Sequence, residues 1–182
     1  MAKTCITEKT AQRQEWIENG LLEMMLLKKF EDISVTELCL HLKLSRRSFY
    51  RYFSDLEDVL DSLLKNTFQN LAIPNSLPLI EEIQNNFEFW LDHKALFAAL
   101  DRSGMIDKLF EYTVRYSDPY AIRDILAPDD LGLDIYREAN LFATTGSIAL
   151  AVAWYKDGFR KKPEQMAQIA HRMLFKPILK SE

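Results

Sequence analysis

The sequence predicts an all-α protein, and three observations support this class. Glycine and proline are scarce, with 5 and 6 residues among 182, and these are the residues that most often interrupt helices or form turns. Apolar residues make up 48% of the chain, which is enough for a sizeable core. No segment sustains the alternation of apolar and polar residues that a half-buried strand shows.

The first predicted helix covers residues 7–29. Apolar residues recur on one side of it at spacings of three and four, which place side chains on the same helix face. These core candidates are Ile17, Leu21, Met24, Met25 and, just beyond the helix, Phe30. We therefore expect a long amphipathic helix that ends shortly before the next element.

Residues 34–53 predict two short helices joined by a tight turn. Ser34 can cap the first helix in a capping box with Glu37, because each side chain reaches the other residue's backbone N–H. Ser45 is a second cap candidate, and it follows the first helix after a very short connection that contains the apolar Leu44. So short a connection holds two helices at a steep angle.

The second of these helices is predicted to have an apolar and a cationic side. At about 100° per residue, Phe49 and Phe53 share the inward face, and Arg47, Ser48 and Arg51 point the opposite way. Residues 41–53 contain four Lys or Arg and no Asp or Glu, whereas the whole chain has a net charge of −4. Positive charge confined to one helix pair is typical of a surface that contacts nucleic-acid phosphates.

These segments resemble the N-terminal signature of the tetracycline-repressor-like (TetR) family of transcriptional regulators. The matching residues are Ser-Val-Thr-Glu-Leu at 34–38, Leu-Ser-Arg-Arg-Ser-Phe-Tyr-Arg-Tyr-Phe at 44–53 and Leu-Glu-Asp-Val-Leu at 56–60. The long amphipathic helix before them also fits the family, so the resemblance covers about the first 65 residues. It implies an N-terminal three-helix helix-turn-helix domain followed by a C-terminal helical domain for ligand binding and dimerisation.

The resemblance also implies which residues contact DNA. Arg47, Ser48 and Arg51 are the candidates for base contacts, because arginine can donate two hydrogen bonds to one guanine. Three residues match positions that contact phosphates in the family: Thr36, Tyr50 and Tyr52. The complete predicted DNA-binding set is Ser34, Thr36, Lys43, Ser45, Arg46, Arg47, Ser48, Tyr50, Arg51 and Tyr52.

Two positions depart from the family pattern. Lys43 stands where the family usually has glycine in the turn, and a non-glycine residue in a left-handed conformation costs about 1 kcal/mol. We therefore expect the turn to be built differently here. Leu56 stands where the family tends to have a lysine that binds phosphate, so we expect lower affinity for the DNA backbone there, with Asp55 acting as a helix cap.

We predict that residues 1–54 form the DNA-binding domain and residues 55–182 the C-terminal regulatory and dimerisation domain. The helix predicted at 55–71 ends before Ile-Pro-Asn-Ser-Leu-Pro at 73–78, whose prolines break helical continuation. Further helices are predicted at 79–91, 94–102, 105–116, 120–126, 133–157 and 163–179.

The penultimate predicted helix has no charged residue between positions 139 and 155, so most of its sides must be buried. Burial within one chain and burial against a second chain both explain this pattern. The resemblance implies that the last two helices pair with their copies, and reading a palindromic operator needs two recognition helices about 34–36 Å apart. We therefore expect a C2 homodimer, with interface residues Ala143, Gly146, Ala149, Ala153, Met166, Ile169 and Met173.

Aromatic residues are dense in the middle of the chain. They can pack as a core, or they can line an apolar ligand chamber between helices with a few polar groups. The candidate chamber residues are Trp90, Phe97, Phe110, Tyr112, Tyr116, Asn140 and Thr144.

Several classes of protein receive no support. The uncharged run between Glu138 and Lys156 is too short and too polar for a membrane span, and with no apparent signal peptide the expected location is the cytoplasm. Cys5 and Cys39 do not predict a disulfide framework. No nucleotide, metal or catalytic motif is present, so we predict no cofactor, no metal site and no enzyme, although an active site assembled from distant residues would leave no motif.

The favoured function is a homodimeric repressor that leaves a palindromic double-stranded operator when a small apolar or aromatic ligand binds. The net charge of −4 argues against a protein that coats nucleic acid without selectivity. In the alternative reading, the C-terminal domain binds a protein partner rather than a small molecule. The sequence leaves both open, together with the operator, the ligand and the direction of regulation.

Overall fold

The computed structural model of the chain describes residues 8–71, 78–116 and 134–175. These residues form nine α-helices, one 3₁₀ turn at Phe30–Asp32 and no strand, which confirms the predicted all-α class. The helices are α1 (Glu8–Leu27), α2 (Val35–His41), α3 (Arg46–Phe49), α4 (Leu56–Asn70), α5 (Leu79–Asp92), α6 (Lys94–Arg102), α7 (Lys108–Tyr116), α8 (Asp134–Lys156) and α9 (Pro163–Phe175).

Most predicted helices are present with ends that differ by a few residues. The helix predicted from residue 105 begins at Lys108. Gly104, which has a left-handed φ of +67°, lies between it and the preceding helix. The helix predicted at 120–126 lies outside the described residues. The largest difference is α3, which ends at Phe49 rather than near Phe53.

The chain divides into two compact units. Unit 1 comprises Met1–Thr67 and Ala95–Lys108, and unit 2 comprises Phe68–Lys94 and Leu109–Glu182. The segment Ala95–Lys108 belongs to unit 1 although it follows part of unit 2 in the chain. No pattern in the sequence indicates this. The boundary at residue 54 proposed for the DNA-binding domain stays a prediction.

The core of unit 1 is built from the predicted apolar side of α1 and from α4. Ile17, Leu21 and Met25 are fully buried. Close packing also explains Gly20, since a Cβ atom at this position would lie 2.5 Å from Cδ2 of Leu42. Alanine at position 20 would therefore displace Leu42, the C-cap residue of α2.

A buried carboxylate joins α1 to α4 inside unit 1. Glu18 is only 2% exposed. Its carboxylate accepts hydrogen bonds from Ser62 Oγ at 2.6 Å and from Asn66 Nδ2 at 3.1 Å. Burial raises the pKa of Glu18, and the hydrogen bonds from Ser62 and Asn66 only partly oppose this effect. The protonated form is therefore favoured in the folded state relative to the unfolded state.

Glu18→Gln should make stability less dependent on pH. Since the folded-state pKa of Glu18 is raised, its contribution is fully present below the unfolded pKa and is lost as pH rises through the folded pKa. Glutamine keeps an acceptor for Ser62 without the charge, so the variant should be more stable than the parent at neutral pH by about 1 kcal/mol. Urea unfolding between acidic and neutral pH measures this difference.

The control for this test is Glu15→Gln, which removes an exposed carboxylate from the same helix. Of the groups that affect the pKa of Glu18, Glu15 has the smallest effect. Its stability profile should run parallel to that of the parent. If the free energies of unfolding of Glu18→Gln and the parent differed by the same amount at every pH, the pKa of Glu18 would be the same in the folded and unfolded states.

Unit 2 contains α5 packed along α9, with aromatic contacts to other helices. The rings of Phe87 and Trp154 meet edge to face with centroids 5.8 Å apart, and Phe68 contacts Trp90 at 5.4 Å. Trp154 Nε1 donates to the carbonyl oxygen of Lys161 at 3.0 Å. This hydrogen bond fixes the connection between α8 and α9.

None of the described helices combines the length and the hydropathy that crossing a membrane requires.

Candidate nucleic-acid interface

The helix α2 begins with the predicted capping box. Ser34 Oγ accepts from the backbone N–H of Glu37 at 3.2 Å, and the backbone N–H of Ser34 donates to Glu37 Oε2 at 2.9 Å. Lys28 Nζ lies 2.6 Å from the other carboxylate oxygen of Glu37. The hydrogen bonds from Lys28 and then from Ser34 lower the pKa of Glu37 to about 2. The start of the motif is therefore fixed at neutral pH as the sequence predicted.

The turn after α2 is closed by two backbone hydrogen bonds of the Schellman type. The N–H of Lys43 donates to the carbonyl of Leu40 at 3.1 Å, and the N–H of Leu44 donates to the carbonyl of Cys39 at 2.8 Å. This pattern places the intervening residue in the left-handed region, and Lys43 has φ +49°. The expectation of a differently built turn was wrong, because Lys43 takes the conformation that favours glycine.

The helix α3 is a single turn. Ser45 caps it by accepting from the backbone N–H of Ser48 at 3.1 Å. At Arg51 and Tyr52 the hydrogen bonds span three residues, since the N–H of Arg51 donates to the carbonyl of Ser48 at 3.3 Å and that of Tyr52 to the carbonyl of Phe49 at 2.9 Å. The N–H of Phe53 also donates to the carbonyl of Phe49, at 3.1 Å. Arg51 therefore lies in a tight turn that follows the helix. The predicted second helix was too long by about one turn.

The two predicted anchors of this segment are confirmed. Phe49 is 0% and Phe53 is 1% exposed, and their ring centroids are 6.2 Å apart. Asp55 Oδ1 accepts from the backbone N–H of Asp58 at 2.8 Å, so Asp55 caps α4 as expected. Leu56 is buried in the core of unit 1 and offers nothing to a phosphate.

The cations of the motif face solvent. Lys43, Arg46, Arg47 and Arg51 are all exposed, and none forms an ion pair within the part of the chain that the structure describes. Arg46 is supported by Tyr50, whose hydroxyl lies 3.5 Å from Nη2 and whose ring centroid lies 5.9 Å from the guanidinium carbon. The hydrogen bond to Tyr50 raises the pKa of Arg46 further above neutrality.

The remaining predicted residues fall into two groups by exposure. Ser34, Thr36, Ser45 and Tyr50 are exposed, whereas Ser48 and Tyr52 are half-buried. The ring of Tyr52 lies 5.9 Å from the guanidinium carbon of Arg51. The arrangement is a short cationic helix and its flanking turns, with Phe49 and Phe53 packed behind it. Among the described residues its cations have no acidic partner.

Comparison with known proteins identifies the fold. No protein-family model and no curated protein matches the sequence. A TetR transcriptional regulator from Streptococcus agalactiae 2603V has a TM-score of 0.64 at 14% identity, over 91% of this chain and 95% of that one. The fatty acid degradation regulator FadR from Bacillus halodurans has a TM-score of 0.65 at 10% identity, over 91% of this chain and 96% of that one.

A third similar structure is the dihydroxyacetone kinase operon activator DhaS. Its TM-score is 0.63 at 17% identity, over 88% of this chain and 93% of that one. The chain has the fold of the TetR transcriptional regulators. Sequence identity this low establishes the TetR fold alone, and the roles of individual residues follow from the chemistry of this chain.

The residues suggested as a ligand chamber do not all lie in one unit of the TetR fold. Trp90 and Tyr112 are buried in unit 2, and Asn140 is buried there on α8. Phe110, Tyr116 and Thr144 are half-buried in the same unit, whereas Phe97 lies in the core of unit 1. Thr144 Oγ1 donates to the carbonyl of Asn140 at 2.8 Å, so its hydroxyl proton is used within the helix.

Unit 2 has other polar features that the sequence did not indicate. An open cleft of about 440 Å³ is lined by Ile80, Gln168, His171 and Arg172, none of which was among the chamber candidates. Asn86 Oδ1 and Thr145 Oγ1 are buried and have no hydrogen-bond partner among the described residues. A single amide or hydroxyl within an apolar helix gives no distinctive signal in a sequence.

Exposed apolar and small residues follow one face of α8. Phe142 is 73% exposed, and the next residues along this face are Gly146, Ala149 and Ala153, which are also exposed. A Cβ atom built on Gly146 meets no atom within 4 Å. On α9, Ile169 and Met173 are exposed large hydrophobic residues.

Two residues suggested for the dimer interface do not belong to this exposed set. Met166 is buried within its own chain, and Ala143 is half-buried. Among the described residues no group of three or more His, Cys, Asp or Glu is placed to hold a metal ion.

Proposed function

We propose that this chain is a sequence-specific DNA-binding transcriptional regulator. The proposal rests on the exposed cations of residues 43–51, which have no acidic partner in the described part of the chain, while Phe49 and Phe53 anchor the segment in the core. Arg47 projects from α3, the helix that would enter the major groove. The similarity to solved TetR structures supports the same function.

We propose that the regulator acts as a C2 homodimer. The face formed by Phe142, Gly146, Ala149 and Ala153 on α8 supports this, together with Ile169 and Met173 on α9. Exposed apolar side chains gain free energy when a second chain covers them, and small residues allow two helices to approach closely. A two-fold dimer would also present two copies of α3 to a palindromic site.

The proposed control of DNA binding is a small ligand in unit 2. Buried polar atoms such as Asn86 Oδ1 and Thr145 Oγ1 support a ligand that is mainly apolar with a few hydrogen-bonding groups. A ligand that binds better to one dimer geometry shifts the population towards it, and a geometry with the wrong spacing of α3 would release the operator. The expected mode is therefore repression relieved by ligand. DhaS, which has a similar fold, is named as an operon activator, so activation is the alternative direction of control.

A protein partner on the C-terminal domain is the second candidate for control. The start of α4 favours it, because Asp55 and Glu57 are exposed there while Leu56 is buried. Two carboxylates at this edge of the motif reduce attraction to phosphates, so intrinsic DNA affinity would be modest and a bound protein could supplement it.

Selection of bound sequences from random duplex DNA tests the main proposal. The full chain is incubated with the library at a stated salt concentration, because phosphate contacts make affinity depend steeply on salt. We expect enrichment of one palindromic sequence with half-sites about one helical turn apart. Failure to enrich any sequence would contradict a sequence-specific regulator, and enrichment of a single asymmetric half-site would contradict the dimer.

A further inference from the structure

Lys43 holds a backbone conformation that its side chain disfavours. Its φ of +49° lies in the left-handed region, where a residue with a Cβ atom is less stable than glycine by about 1 kcal/mol. Strain of this kind persists where the surrounding structure imposes it, and it concentrates at functional positions.

The lysine side chain does nothing within unit 1 that offsets this strain. Both hydrogen bonds of the turn use backbone atoms, namely the N–H groups of Lys43 and Leu44, which glycine at position 43 would retain. Lys43 is exposed, and its ammonium group has no hydrogen-bond or ion-pair partner among residues 8–71, 78–116 and 134–175. The fold alone therefore gives no reason for a lysine at this position.

The position of Lys43 relative to the motif supplies a reason. It lies directly before Leu44 and the cap of α3, so it is the cation on the N-terminal side of Arg46 and Arg47. On the other side, α4 begins with the exposed acids Asp55 and Glu57. On the N-terminal side of α3, Lys43 is therefore the cation in position to contact the DNA backbone.

We propose that Lys43 binds a backbone phosphate of DNA and that the turn retains a strained lysine for this contact. The inference rests on the proposed DNA-binding function. A phosphate contact stabilises the complex without reading sequence, so Lys43 would set affinity while the neighbouring arginines set the preference between sequences.

Three substitutions separate charge from conformation. Lys43→Gly removes the charge and the strain, Lys43→Asn removes the charge and leaves a residue that tolerates the left-handed region, and Lys43→Arg keeps both the charge and the strain. Dissociation constants are measured against salt concentration for two probes, a duplex of random sequence and the duplex recovered by selection. Urea unfolding of each protein is measured in parallel.

For each bound chain, the two neutral variants should bind both duplexes about fivefold more weakly, since one phosphate contact is worth about 1 kcal/mol. The slope of log affinity against log salt should fall by about 0.9 for each bound chain. Stability should not decrease for Lys43→Gly or Lys43→Asn. Lys43→Arg should keep the salt slope of the parent.

A matched control is Lys65→Gln, which removes one exposed lysine from α4 well away from the turn and should leave the salt slope unchanged. An unaltered slope in both neutral variants would overturn the inference, as would a clear loss of stability in Lys43→Gly. Failure of the parent chain to bind either duplex would instead contradict the proposed function, so the two failures are distinguishable.

Discussion

Replacing Arg47 and Arg51 together by alanine should abolish the preference for the selected operator while leaving the helix content intact. Both side chains are exposed and lack ion pairs in the described part of the chain, so the fold does not depend on them. A bidentate contact to guanine contributes about 1–3 kcal/mol of discrimination. Loss of two such contacts should lower the preference for the operator over random DNA by about 100-fold or more.

The measurement compares dissociation constants for the selected duplex and a random duplex at one salt concentration, with circular dichroism to follow helix content. Arg137→Ala combined with Arg160→Ala is the matched control, because it removes the same charge from exposed positions of unit 2. This control should keep the preference. Retention of full preference by the Arg47 and Arg51 double variant would show that α3 and the turn after it do not read the operator.

Ala149→Glu combined with Ala153→Glu should convert the proposed dimer into monomers. Both alanines are exposed on the same face of α8, one helical turn apart. In a two-fold interface each glutamate would approach its copy, and like charges brought together at an interface cost several kcal/mol. The dissociation constant of the dimer should rise by about 1000-fold or more, whereas glutamate is only slightly less favourable than alanine in a helix.

Sedimentation equilibrium gives the mass of each protein, and circular dichroism confirms that the variant is folded. Gln12→Glu with Asn19→Glu adds the same charge at exposed positions of α1 and should leave the mass unchanged. If the α8 double variant still had the mass of two chains, the dimer interface would have to lie elsewhere on the protein. A parent protein with the mass of one chain would contradict the homodimer itself.

Local signals made much of the motif predictable. The capping box at Ser34, the cap at Ser45 and the buried pair Phe49 and Phe53 each depend on residues within four positions of one another, so the sequence contains the whole interaction. The length of α3 was not predictable in this way. The helical spacing of charged and apolar residues continues to Phe53, but the hydrogen bonds at Arg51 and Tyr52 span three residues, and side-chain spacing does not distinguish the two kinds of turn.

Contacts between residues far apart in the sequence account for two other features that the sequence did not predict. The segment Ala95–Lys108 joins unit 1, where Ser103 Oγ accepts from the backbone N–H of Phe30 at 3.0 Å. Glu18 resembles any polar residue of an amphipathic helix in the sequence, and only the fold brings Ser62 and Asn66 of α4 within hydrogen-bond distance of it. The conformation of Lys43 was misjudged for a different reason. The intrinsic preference of lysine argued against a left-handed φ, but two local backbone hydrogen bonds close the turn and determine it.

The shortness of α3 limits how much information one chain can extract from DNA. Four helical residues advance about 6 Å along the helix axis, a distance comparable to about two base-pair steps of 3.4 Å. A sequence of so few base pairs occurs by chance many times among the roughly 10⁶ or more competing sites of a genome. Recognition of a unique site on the chromosome would therefore require two such half-sites at a fixed separation.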